Sequence, residues 1–138
     1  MRKRLKETFT QTFPLSDSLD VYNAFYMVGD IAITRVPNSS EANGKAIGET
    51  IIRVYRNIKT VFVQDSPVAG NFRIRRLKHV AGENKTHTIH KENGCLFAVD
   101  VEACYFSPRL CHDRKRIAQQ IKPNETIVNM FAGVGIFQ

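Results

Sequence analysis

Apolar residues change their spacing several times along the chain, and each change marks an element. Residues 1–20 are polar and without a period, and read as a loose arm. Ile31 to Val36 is apolar with little alternation and stops at Pro37, which suggests a buried strand. Asn38-Ser39-Ser40 then offers side-chain oxygens that can cap a helix. Ala42, Ala46, Ile47, Ile51, Val54, Tyr55 and Ile58 recur every three or four positions and predict one helical face running to about Asn57. Gly44 and Gly48 weaken that helix locally. Val61-Phe62-Val63 reads as a short buried strand, and Phe72 to Val80 as a second one rich in arginine.

Thr86 to His90 and Cys95 to Val101 flank Lys91-Glu92-Asn93-Gly94. Asn93-Gly94 signals a hairpin, because both residues tolerate positive φ. Beyond Asp100 the pattern changes. Ser107-Pro108 breaks the strand. A basic helix is expected from Cys111 or His112 to Ile121, with Ile117, Ala118 and Ile121 facing inward. Pro123-Asn124 ends it, and Thr126 to Met130 reads as a buried strand. The expected organisation is an arm over 1–20, an α+β domain over 21–101, and the opening of a doubly wound α/β domain over 102–138.

Composition narrows the class without naming it. Of 138 residues, 43% are hydrophobic and 24% charged, so a packed core is expected. No apolar run is long enough to span a bilayer, and Met1 to Lys6 leads into polar residues where a signal peptide needs apolar ones. A cytoplasmic protein is expected. The net charge of +7 attracts phosphate backbones and favours nucleic acid slightly over a solvated surface with surplus lysine. Cys95, Cys104 and Cys111 lack zinc-ligand spacing, so no metal is expected and the cysteines read as reduced packing residues.

The candidate chemistry lies in two segments. Asn129-Met130-Phe131-Ala132-Gly133-Val134-Gly135 joins the last strand to a glycine-rich turn, where backbone N–H groups can approach a nucleotide-like cofactor. Alone, that turn is equally an ordinary strand–helix connection. Tyr105-Phe106-Ser107-Pro108-Arg109-Leu110 and Asp113-Arg114 lie just upstream. With Gly70 to Arg75, Ala81-Gly82-Glu83, His90 to Cys95, Val28 to Ala32 and Lys45 to Gly48, they resemble the archaeal and eukaryotic type of tRNA guanine-37 N1-methyltransferase. The likeness runs in order from about Val28 onward. It implies a mixed sheet and hairpin in an RNA-facing α+β domain, then the start of a class I, Rossmann-like α/β methyltransferase domain. That second domain is expected to be incomplete here, and the isolated chain inactive.

The resemblance also implies roles. Such an enzyme moves a methyl group from S-adenosylmethionine to N1 of guanosine 37, beside the anticodon. N1 carries a proton at neutral pH, so the base must be splayed out, a general base must take the proton, and positive charge near O6 must hold the developing anion. Asp113 stands where the family carries a glutamate and would be that base. Read alone, it is an exposed carboxylate favouring a helix start. Arg73 and Arg109 complete the catalytic set. Tyr105, Arg109, Asn129, Phe131, Gly133 and Gly135 would hold the cofactor, with Asn129 replacing the family's aspartate. Phe106 reads equally as core. Arg73, Arg75, Arg76 and Arg114 would hold the anticodon loop of tRNA. A monomer is expected. Two other readings stand beside this one. One is the related aminocarboxypropyl transferase of wybutosine synthesis, against which Arg109-Leu110 counts. The other is a tRNA-binding remnant without catalysis, which Asp113, Asn129 and the stop at Gln138 favour.

Overall fold

The computed structural model describes residues 25–35, 41–64 and 76–130. Four strands form a mixed sheet: β1 (Tyr26–Val28), β2 (Ile31–Thr34), β3 (Thr60–Gln64) and β4 (Leu77–Gly82), in the order β1-β2-β3-β4. β2 and β3 run parallel, joined across one face by helix α1 (Glu41–Val54), while the outer pairings are antiparallel. All four residues of β2 and the first four of β3 are buried, as expected of central strands covered on both faces. Ala32, Val61 and Ala81 meet Ile47, Ile51, Tyr55 and Ile58 on the helix side. Ile31, Ile33 and Phe62 pack on the other side with Tyr26, Leu77 and Val101.

The expected helical face is therefore present, but the helix ends at Val54. Tyr55 and Ile58 follow in a turn, with Ile58 N–H donating to the Tyr55 carbonyl at 2.9 Å. Gly48 lets helix and sheet touch: a Cβ there would stand 2.7 Å from Ala81 Cβ. The arginine-rich strand begins at Leu77 and runs on to Gly82; residues 72–75 lie outside the described residues, as does the arm over 1–20. The apolar pattern does not predict β1, because three residues are too short to show a period.

The hairpin forms as the Asn-Gly pair predicts. β5 (His87–Glu92) and β6 (Cys95–Asp100) pair antiparallel across Asn93 (φ 49°) and Gly94 (φ 87°). Thr88 and His90 on β5 turn toward the β1–β2 connection. Gly29 N–H donates to His90 Nδ1 at 3.0 Å, Asp30 N–H donates to Thr88 Oγ1 at 3.1 Å, and the Thr88 hydroxyl donates to Asp30 Oδ1 at 2.7 Å. Gly29 (φ 56°) is required there twice over. Its backbone is left-handed, and an added Cβ would lie 2.1 Å from Thr88 Oγ1 and 2.6 Å from the Ile89 carbonyl oxygen.

The C-terminal part departs from expectation. A 3-10 turn (Pro108–Leu110) leads into helix α2 (Cys111–Ala118), which ends short of Ile121. Ile117, Ala118 and Ile121 are exposed rather than inward. Residues 126–130 form no strand; Ile127, Val128 and Met130 are 54%, 79% and 80% exposed. The reason is pairing. A strand of a doubly wound sheet needs neighbouring strands for its backbone and helices for both faces, and the described residues bring neither to this segment.

Gly29→Ala is expected to destabilise the chain by roughly 2–5 kcal/mol, combining left-handed strain with overpacking against backbone. Gly94→Ala shares a positive φ but meets nothing within 4 Å, and should cost only roughly 1–2 kcal/mol. Denaturant unfolding of both variants measures the difference; equal losses would mean that the turn is not packed on β5 as described.

Candidate active site

Four of the residues that the sequence singles out, Tyr105, Arg109, Asp113 and Arg114, lie on one segment. Ser107 is extended (φ −125°, ψ 110°), the conformation that a following proline imposes. Pro108 opens the 3-10 turn, Leu110 N–H donates to the Ser107 carbonyl at 3.2 Å, and Cys111 N–H donates to the Pro108 carbonyl. The turn passes directly into α2. Arg109 and Asp113, four positions apart, are both exposed on this ledge. Asp113 lies in the first turn of α2, where the helix dipole favours a carboxylate, and stands 3.8 Å from Arg116 in an exposed pair of little energetic weight. Tyr105, earlier on the same segment, is exposed, whereas Phe106 is core, 6% exposed and packed with Val28 and Val99.

Arg114 is placed differently. Its side chain is 4% exposed. Nε donates to Glu92 Oε1 at 2.6 Å, and Nη2 to Glu92 Oε2 at 2.5 Å and to the Ser107 carbonyl at 3.1 Å. The guanidinium also lies 5.2 Å from the centre of the Phe106 ring. It is engaged inside the protein rather than presented to a phosphate. His90 extends the cluster: its ring meets Phe106 edge-on at 4.8 Å, and its Nε2 lies 3.6 Å from Glu92 Oε2. Because Nδ1 accepts from Gly29, the imidazole proton belongs on Nε2, facing Glu92.

The charges in this cluster are tuned by what surrounds them. Hydrogen bonds from Arg114 hold the Glu92 carboxyl below its ordinary value, against the opposing effect of burial. Burial also pushes His90 down; Glu92 pulls it the other way and Arg114 adds to the depression. Burial alone would raise Asp30, but hydrogen bonds from Lys85 and Thr88 outweigh it and leave the carboxyl lowered. Lys85 Nζ lies 2.7 Å from Asp30 Oδ2. Sequence reasoning missed Glu92, His90 and Asp30. The available signal was register: Thr88, His90 and Glu92 alternate on the inward face of β5, and an inward carboxylate demands a buried partner.

Of the remaining expected residues, Arg76 and Asn129 are described. Arg76 is exposed just before β4. Asn129 is half-buried on the stretch that forms no strand. Arg73, Arg75, Phe131, Gly133 and Gly135 lie outside the described residues. An open cleft of about 740 Å³ beside the Gly29 turn is lined by Lys85, His87 and Lys91, not by Tyr105, Arg109 or Asn129. S-adenosylmethionine needs a pocket that buries most of its surface. With Ile127, Val128 and Met130 open to solvent, the described residues alone do not fit it.

Comparison with known proteins bears on the same segments. The family profile of the TYW2 N-terminal domain matches residues 5–86, and that of the TRM5/TYW2 methyltransferase domain matches residues 88–138. The tRNA (guanine(37)-N(1))-methyltransferase Trm5b of Pyrococcus abyssi is 43% identical over 114 residues, covering 83% of this chain and 34% of that protein. The tRNA(Phe) (4-demethylwyosine(37)-C(7)) aminocarboxypropyltransferase of Methanocaldococcus jannaschii is 34% identical over 113 residues, covering 82% of this chain and 43% of its own length. Among solved structures, a complex of aTrm5 and tRNALeu superposes with a TM-score of 0.87 at 40% identity, covering 96% of this chain and 40% of that one. The chain thus spans about a third of the length of the Pyrococcus relative.

The cluster predicts how acid acts on the fold. His90, Glu92 and Asp30 all have lowered values in the folded state, so each contributes stability that is complete above its ordinary value and is lost as pH falls through the folded one. Loss from His90 begins as pH drops below 6.5, before the carboxylates, whose ordinary values are 4.5 and 3.8, take part. His90→Asn keeps an acceptor for Gly29 N–H without a titrating ring. Denaturation midpoints between pH 7.5 and 5, measured for both proteins, should fall less steeply in the variant; identical slopes would contradict the assignment.

Proposed function

The chain belongs to the TRM5/TYW2 methyltransferase family, and from that premise we propose that it serves methylation of N1 of guanosine 37 in tRNA, with S-adenosylmethionine as the methyl donor. The observation that carries this reading is the ledge of residues 108–113, which leaves Arg109 and Asp113 both exposed, with Asp113 in place of the family's glutamate. Asp113 takes the N1 proton of a splayed guanine, and the Arg109 guanidinium holds the negative charge that develops on O6. Arg73 belongs to the same proposed set. Tyr105, Arg109, Asn129, Phe131, Gly133 and Gly135 are the proposed share of this chain in cofactor binding. They would need further covering structure, as the exposed apolar residues at 127–130 indicate.

The proposed partner is the anticodon loop of tRNA, approached by Arg73, Arg75 and Arg76, with the protein acting as a cytoplasmic monomer. Among the described residues no helix is long and apolar enough to cross a membrane. Arg114 contributes from inside the fold instead. The proposed division into an RNA-facing unit and a cofactor unit near residue 101 needs one qualification. Val101, Cys104, Phe106 and Arg114 pack on the first unit, so its packing reaches across that boundary. Transfer of an aminocarboxypropyl group is the second reading. Arg109-Leu110 and the higher identity to the guanine methyltransferase, 43% against 34%, favour the first.

The test joins this chain to the remaining methyltransferase domain of the Pyrococcus relative and follows single-turnover transfer to tRNA carrying guanosine 37. Asp113→Asn should slow transfer by roughly 100-fold or more at unchanged tRNA affinity. Asp113→Glu should preserve or raise the rate, and the chain alone should transfer nothing. An Asp113→Asn protein as fast as its parent would make Asp113 a helix-start residue and end this mechanism.

A second measurement concerns RNA binding by the chain itself. Its net charge of +7 should give weak tRNA affinity that falls steeply as salt rises, because each phosphate contact releases counterions. Arg76→Ala should lessen that salt slope by about one contact. Binding that ignores salt would refute electrostatic capture.

A further inference from the structure

The ledge is closed on itself by a single guanidinium. Phe106 and Ser107 precede Arg109, and Arg114 follows Asp113 directly. Arg114 Nη2 donates to the Ser107 carbonyl, and the guanidinium lies against the Phe106 ring, so both ends of the segment meet at one group. That group is anchored outside the segment by the two-pronged contact with Glu92 at the end of β5. Fork-to-carboxylate pairing fixes orientation as well as distance, which a single contact to a lysine would not. Both side chains are nearly excluded from water, at 4% and 8% exposure, so neither is positioned to contact RNA directly. A surface ion pair would hold nothing firmly; this one has a defined geometry and a backbone carbonyl as a third acceptor.

We propose that Glu92 and Arg114 are positioning residues for the reaction, a clamp that ties the hairpin to the segment carrying Arg109 and Asp113. The purpose of the clamp rests on the methyl-transfer reading above; its existence does not. Breaking it frees the 3-10 turn and the start of α2 while the four-stranded sheet keeps its packing. A small displacement of reacting groups is enough to slow a bimolecular step held in place by the protein, so the loss falls on the transfer step and not on RNA affinity.

Hydrogen exchange on this chain tests the clamp. Glu92→Gln alone strands a buried positive charge and is liable to unfold the protein. The double variant Glu92→Gln with Arg114→Gln removes both charges and keeps the fold assessable. In it, the amides of Leu110 and Cys111, which are hydrogen-bonded within the turn, should exchange at least about tenfold faster, while that of Phe62 in β3 keeps its rate. Unchanged exchange at Leu110 and Cys111 overturns the clamp. An equal rise at Phe62 also overturns it, since the pair would then support only global stability. In the fusion with the methyltransferase domain, the same double variant should lower the single-turnover rate by about tenfold or more with tRNA affinity held within about twofold. An unchanged rate overturns the positioning role. If the unsubstituted fusion transfers no methyl group, the functional reading fails, and the exchange rates still decide the clamp.

Discussion

A two-stranded ribbon does not stand alone in water, and the architecture of this chain follows from how its hairpin is held. Among the described residues, the hairpin β5–β6 pairs with no strand of the four-stranded sheet. It is secured at one end by the Gly29-Asp30 turn, whose two backbone N–H groups donate to His90 and Thr88. At the other end Glu92 receives Arg114. Between these, Val99 and Phe106 share a small apolar cluster with Val28. Every one of these contacts lies on the inward register of β5 and β6 or on a segment that reaches them. A shift of one residue in the hairpin would turn Thr88, His90 and Glu92 outward together and dissolve all three attachments.

The same arrangement explains where the positive charge goes. The chain carries 20 lysines and arginines against 13 acidic residues, yet cations near the hairpin are not all available to an RNA. Lys85 is held by Asp30 and Glu83, and Arg114 by Glu92. Each buried or half-buried carboxylate requires a partner because desolvation penalises an isolated charge. Arg109 remains exposed. Two arginines close in sequence, Arg109 and Arg114, thus have opposite placements: one faces solvent, the other is an internal fastening. The fastening also links acid sensitivity of the fold to the geometry of the ledge, since His90 and Glu92 belong to the same cluster.

The chain is well packed at its centre and open at its C-terminal stretch for a common reason. β2, α1 and β3 form a complete unit in which both faces of two parallel strands are covered. Residues 126–130 have the composition of another buried strand but receive no pairing neighbour among the described residues. The apolar side chains of Ile127, Val128 and Met130 are consequently exposed.

The sequence by itself determined the elements whose signals are local. Periodicity locates α1 through Ile47 and Ile51, continuous apolarity locates β2 and β3, and Asn93-Gly94 specifies the hairpin through its need for positive φ. The motif around Ser107-Pro108 is enough to single out Tyr105, Arg109 and Asp113 as candidates. The tertiary structure alone decided which charges are interior. Arg114 reads as an RNA contact in the sequence because its partner, Glu92, lies 22 positions away beside a turn, where a carboxylate is ordinarily solvated. Ile117, Ile121 and the 126–130 stretch read as buried because periodicity reports a face, not what covers it. Burial of a charge and pairing of a strand depend on groups far apart along the chain. A local pattern states the requirement, and only the folded arrangement shows whether and by what it is met.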